Sequence, residues 1–237
     1  MKIACWSGPR NISTAMMYAF GNREDFSAVD EPFYAAYLAL TGRVHPMQAE
    51  ILAAQPQDPG EVIATLTAPD ATPHAYHKHM AQHMIPQIPR DWFGDMRHVF
   101  LIRHPARVVA SFSAKYDNPE LSEIGFVQQA ELFEQVLMEG HDPVVIDSLD
   151  IRADPEGMLR ALCDRLGLAW DPAMLSWEAG PKSHDGVWAA HWYNAVHGST
   201  GFAGAEGEMP RLTGEMATLA EAALPAYQAL ASCRLRP

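Results

Sequence analysis

Positive charge is scarce in this sequence. Lys and Arg total 17 against 29 Asp and Glu, a formal net charge of -12. A chain this acidic repels nucleic acid and anionic membrane unless a local patch reverses the sign. Any anionic ligand must therefore sit where the few basic residues converge. Cysteine is scarce too: Cys5, Cys163 and Cys233 lie far apart and form no CxxC pair. An odd, scattered set argues against a disulfide framework and a zinc ribbon, and fits a reducing cytoplasm. Long apolar runs are missing. The run Ile3–Trp6 breaks at Ser7-Gly8-Pro9, too short for a signal peptide, and no stretch elsewhere has the length of a membrane span. The expectation is a soluble chain with no membrane partner. Repeats and low-complexity tracts are also lacking. With 237 residues, 48% hydrophobic and 19% charged, the chain reads as one large domain over 1–237 with a sizeable core.

What is present is an alternation of strands and helices. Ile3–Trp6, Ser27–Asp30, Ala75–Met80, His98–Ile102 and Pro143–Ile146 read as five strands, the fourth a continuous apolar run suited to a strand covered on both faces. Ile124, Val127, Ala130, Phe133 and Leu137 recur at helical spacing. Asp154-Pro155 reads as an N-cap followed by Pro at the first helical position, and Gly167 ends that helix. This pattern predicts an α/β fold, a parallel sheet flanked by helices on both faces. The segment 180–210, rich in Gly, His and Trp, reads as an irregular lid, and Gly214–Leu230 as a closing helix.

Two constellations carry chemistry. In the first, Ser7-Gly8-Pro9-Arg10-Asn11-Ile12-Ser13-Thr14 lies between a strand and a helix, where backbone N–H groups and the helix dipole favour an anion. It lacks the GxxxxGK[ST] spacing of a Walker A loop. It also reads as an ordinary turn capped by Asn11. In the second, Arg103 ends the strongest strand and Pro105 starts a helix carrying Arg107 and Ser111. Arginines near a helix N-terminus oppose the dipole, so a bound anion accounts for them better than fold stability does. Salt bridges to the many carboxylates are the alternative.

Together these segments resemble the sulfotransferases that use 3′-phosphoadenosine 5′-phosphosulfate (PAPS). That family has a 5′-phosphosulfate loop of the type Pro-Lys-Ser-Gly-Thr-Thr after its first strand and a 3′-phosphate motif of the type Arg-x-Pro-x-x-x-x-x-Ser. Pro9 to Thr14 is similar to the first, and Arg103-His104-Pro105 through Ser111 matches the second in register. Ile146-Asp147-Ser148-Leu149, Asp154-Pro155-Glu156 and Leu166-Gly167-Leu168 resemble later family segments in the same order. The resemblance implies a P-loop-like sheet and PAPS as co-substrate, with no metal. It places Arg10, Asn11, Ser13 and Thr14 around the 5′-phosphosulfate, and Arg103 and Ser111 on the 3′-phosphate. Arg10 stands where the family has lysine, keeping the charge but not the ability to donate a proton. Ile12 stands where the family has a small glycine, which puts the loop path in question.

An alcohol acceptor needs a base. Glu31 and His79 are the candidates, each by resemblance to a branch of the family, and a strand directly beside the first is expected to carry Glu31. Glu31 also reads as a carboxylate heading a helix before Pro32, and His79 as a strand-end histidine bonded to backbone. His74, His77, His79 and His83 offer no clear third ligand at metal-binding spacing. Family members cover the adenine and 3′-phosphate with a late loop, and the resemblance gives that part to Lys182 with Trp188 or Trp192, by charge and stacking; a packed cap is the other reading. The expected partners are PAPS and a small soluble acceptor with a hydroxyl or amine. A P-loop phosphotransferase and a non-catalytic nucleotide-binding protein are the competing readings.

Overall fold

The computed structural model describes residues 1–114 and 119–236. At its centre lies a sheet of Lys2–Ser7 (β1), Phe26–Asp30 (β2), His74–Met80 (β3), Arg97–Ile102 (β4) and Val144–Asp147 (β5), every neighbouring pair parallel. All five expected strands are there, with slightly shifted ends. Between β1 and β3 come Ser13–Gly21 (α1), then, after β2, Tyr34–Thr41 (α2), Gln48–Ala54 (α3) and Pro59–Thr67 (α4). Pro105–Ser113 (α5), Leu121–Ile124 (α6) and Phe126–Met138 (α7) follow β4, and Ser148–Ala153 (α8) and Pro155–Leu166 (α9) follow β5. Short helices Ala189–Trp192 (α10) and Asn194–His197 (α11) interrupt the irregular stretch before Gly214–Ala231 (α12).

Helix ends obey the local chemistry. The Asp154 carboxylate accepts from the Gly157 N–H ahead of Pro155, and Gly167 closes α9 at φ 72°. The His104 ring accepts from the Ala106 N–H and caps α5. α2 is different: Tyr34 to Leu38 are all buried. A helix apolar on every side shows no periodic stripe, so the sequence gives little sign of it.

Side chains alternate across the sheet and divide the core. Ile3, Cys5, Val99 and Leu101 pack on one face with α1, α2 and α9. Ala4, Trp6, Phe100 and Ile102 pack on the other with α4, α7 and Leu230 of α12.

The strand order is β2-β3-β1-β4-β5. β2 is therefore not beside β1, as the sequence reading expects; β3 lies between them. Local pattern carries no information on strand order, which is set by how the connections pack. The connection after β1 leads toward one edge of the sheet and the one after β4 toward the other. Such a reversal opens a crevice at the C-terminal ends of the two strands. Among the described residues, no helix is long and apolar enough to cross a membrane.

Candidate active site

The β1 loop enters this crevice in a constrained shape. Arg10 and Ile12 both adopt positive φ, 62° and 58°. For a β-branched residue this is a true outlier, costing about 1–3 kcal/mol. The chain thus takes a glycine-like path at the position where the sequence carries isoleucine. Such alternation turns successive N–H groups toward one concavity, which favours an anion. Gly8 is required for a different reason: a Cβ there would lie 2.5 Å from the Ile124 carbonyl oxygen. Asn11 does not cap α1. Its side-chain amide donates to the Leu101 carbonyl at 3.2 Å and ties the loop to β4.

Arginines from both sides of the crevice meet here. Arg10 Nε donates to Ser111 Oγ at 2.9 Å, and Arg103 Nη1 donates to the Arg10 carbonyl at 2.7 Å. Burial lowers the pKa of both guanidinium groups, and Arg103 adds to the lowering at Arg10. Glu206 faces this cluster with a side chain 1% exposed. Its Oε1 accepts from Arg103 Nε at 2.8 Å and Arg152 Nη1 at 3.2 Å. Arg107 Nε lies 2.7 Å from Oε2, an ion pair without hydrogen-bond alignment.

A second charged group is centred on Lys78. Its Nζ donates to Asp30 Oδ1 at 2.8 Å, Glu31 Oε1 at 2.5 Å and Tyr193 Oη at 2.7 Å. The Gly186 N–H and the Tyr193 hydroxyl also donate to Asp30. Burial pushes the Glu31 pKa up and outweighs the attraction of Lys78, while Asp30 adds repulsion. Burial alone would pull Lys78 down, but the two carboxylates raise it. Two acids share one ammonium, so one negative charge is left over and Glu31 holds a proton more readily than a free carboxylate.

Arg10, Arg103, Ser111 and Arg152 of the first cluster and Glu31, Lys78 and Tyr193 of the second line one cavity of about 320 Å³. Tyr34, Tyr37, Trp192 and Phe202 form an aromatic part of its wall, beside the polar Gln82, His83 and Glu123. The family model described as "Sulfotransferase domain" matches residues 1–234. The chain belongs to this family. Its fold is shared with the sulfotransferase domain of an olefin synthase from Synechococcus PCC 7002, at 18% identity, 94% coverage of both chains and a TM-score of 0.51. The sulfotransferase domain from the curacin biosynthetic pathway is similar as well, at 14% identity, 93% and 96% coverage and a TM-score of 0.53. In sequence, the chain is 35% identical to two Arabidopsis thaliana proteins named branched-chain-amino-acid aminotransferase-like protein 1 and 2, over 97% and 84% of its length. It spans 41% and 36% of those relatives.

Within this sulfotransferase fold, Arg10, Asn11, Ser13, Thr14, Glu31, Arg103 and Ser111 all reach the cavity. Two expected site residues do not. His79 stacks on Trp6 at 4.4 Å in the opposite layer of the core. The reason is strand parity: Lys78 and Met80 face the cavity, so His79 between them faces away. Lys182 is outside the cavity as well; its Nζ donates to the Glu178 carbonyl at 2.6 Å. Of the late tryptophans, Trp188 is buried and donates to Tyr193, while Trp192 lines the cavity. Among the described residues, no cluster of His, Cys, Asp and Glu is arranged to hold a metal ion.

Sequence reasoning missed Lys78, Asp30, Tyr193, Arg152 and Glu206. Parity along β3 was the available signal for Lys78, since it shares a face with Tyr76 and Met80. The others come together only through the tertiary fold.

Proposed function

We propose that this chain transfers a sulfuryl group from PAPS to a hydroxyl of a small soluble acceptor, an amine being the other acceptor chemistry. The observation that supports this best is the concentration of guanidinium groups at the β1–β4 crevice of a chain whose net charge is -12. Arg10, Arg103, Arg107 and Arg152 converge there; Glu206 pairs with the last three, and Arg10 donates to Ser111. That excess of positive charge suits a ligand with more than one anionic group.

The residues present fit such a donor. The N–H groups and hydroxyls of the β1 loop and of Ser13 and Thr14 would hold the 5′-phosphosulfate, with Arg103 and Ser111 toward the 3′-phosphate. Bound PAPS supplies the activated sulfuryl group. Arg10 provides a fixed positive charge beside the departing phosphate oxygen, and Glu31 takes the proton of the acceptor. Lys78 and Tyr193 hold Glu31 in position and favour its ionised form. The aromatic part of the wall suits an organic acceptor, and Glu31 and Glu123 on the same wall disfavour a second polyanion.

Calorimetry with adenosine 3′,5′-bisphosphate, AMP and ATP tests the donor. The bisphosphate is expected to bind most tightly. Arg103→Ala should weaken it by about 10–100-fold, the equivalent of roughly 1.5–3 kcal/mol for a charge-assisted contact, and leave AMP nearly unchanged. Equal affinity of the wild-type protein for the bisphosphate and AMP would overturn the reading, and a preference for ATP would favour a phosphotransferase.

A further inference from the structure

The cluster expected to receive the 3′-phosphate already contains an anion from the chain itself. Glu206 lies on a stretch, Phe202 to Thr213, that forms neither helix nor strand. Ala203, Gly204, Ala205, Gly207 and Glu208 are exposed, yet the Glu206 side chain between them is buried. Arginines pin the strap on both sides of it. Arg152 Nε donates to the Gly204 carbonyl at 2.9 Å, and Arg107 Nη2 donates to the Gly207 carbonyl at 2.5 Å. An exposed backbone held by one inward carboxylate and a few arginine donors opens at little expense in apolar contacts.

The charges do not balance in this arrangement. Arg103, Arg107 and Arg152 bring three positive charges to one carboxylate, and one oxygen of that carboxylate lacks an aligned hydrogen bond. A phosphate monoester carries about -1.5 to -2 at pH 7 and offers three acceptor oxygens. It would neutralise the same cluster better than Glu206 does. The carboxylate and a phosphate cannot share the position.

We infer that Glu206 is an internal stand-in for the donor's 3′-phosphate. Donor binding expels it and releases the 203–208 strap, and its return helps the bisphosphate product leave. This rests on the PAPS reading of the crevice and adds to it a competition within the chain. The free protein is held with Glu206 among its arginines and its strap down. The apparent affinity for any ligand with a 3′-phosphate is then reduced by the fraction of molecules whose strap is closed. A nucleotide that lacks the 3′-phosphate does not compete with Glu206 and escapes that penalty.

The test compares Glu206→Gln with the wild-type protein by calorimetry, using adenosine 3′,5′-bisphosphate and AMP. Glutamine keeps the shape and removes the charge. The bisphosphate is expected to bind the variant about 10-fold or more tightly, with AMP affinity unchanged. Hydrogen exchange on the wild-type protein supplies a readout that needs no variant: adding the bisphosphate should speed exchange across 203–208 while slowing it in the β1 loop. Unchanged or weaker bisphosphate binding by Glu206→Gln, or a strap that becomes more protected on binding, would overturn the competition and leave the donor reading intact. If neither protein prefers the bisphosphate to AMP, the donor reading fails and this inference fails with it.

Discussion

Glu31→Gln is expected to lower turnover by about 10²–10⁴-fold, the usual contribution of a positioned general base. The nucleotide should bind as before, because Glu31 belongs to the Lys78 cluster rather than the arginine cluster. The geometry is specific about why this carboxylate suits the role. It is buried, which raises its pKa, while Lys78 pulls the other way and favours the ionised form. A base must be ionised to act, so the rate should climb with pH through a pKa above the ordinary carboxylate value. That limb should vanish in Glu31→Gln. His79→Ala makes the contrast: it removes a ring stacked on Trp6 in the core. It should reduce stability, with turnover of the folded fraction close to wild type. Measurement requires an acceptor, found by screening labelled sulfate transfer from PAPS across small hydroxyl- and amine-bearing compounds. Near-normal turnover by Glu31→Gln alongside an inert, folded His79→Ala would reverse the two roles.

Much of the site was legible because its parts are local. The β1 loop and the Arg103–Ser111 segment each join the end of one strand to the start of one helix. Spacing along the chain therefore decides which side chains face the crevice. Strand positions followed from apolar runs and Gly or Pro punctuation in the same way. His79 misled because residue type was weighed without strand parity, and one step along β3 changes the face. The position of β2 was illegible for another reason: a βα connection of a given length can reach the next place in the sheet or the one beyond it. Tyr193 and Glu206 lie in the irregular stretch, where neither period 2 nor period 3.6 orients a side chain. Their partners, Lys78 and Arg103, are 115 and 103 residues away in sequence.

Acidification should destabilise the fold steeply between about pH 6.5 and pH 4. His77, His79, His83 and His98 are each no more than 3% exposed. Burial lowers His77 and His98 to about 4 and takes His79 and His83 well below the usual imidazole value, with neighbouring positive groups adding to the shift. The His98 tautomer shows how the neutral form is built in: Nδ1 accepts from Trp6 Nε1 at 3.0 Å, so Nε2 carries the proton it gives to the Phe93 carbonyl at 3.0 Å. A second proton would break the first of these bonds. In the unfolded chain these rings bind protons near pH 6.5; in the native chain they resist until the pH is much lower. The unfolded state therefore holds more protons throughout that window, and stability must fall as pH falls. Each such histidine contributes a slope of about 1.4 kcal/mol per pH unit. Glu31 and Asp147 act in the opposite sense, because burial raises their pKa and the native state takes up their protons first. His45, His74, His104 and His184 are lowered as well, as are Asp25 and Asp142, so the groups that lose stability on acidification outnumber these two. A net loss of several kcal/mol would consume much of the roughly 5–15 kcal/mol by which a typical protein is stable. Urea titrations followed by circular dichroism at pH 7, 6 and 5 should show the midpoint dropping at each step. Replacing His77 by Gln should make that dependence shallower by about one proton's worth. A midpoint that holds steady from pH 7 to pH 5 would show that these rings are not kept neutral by the fold.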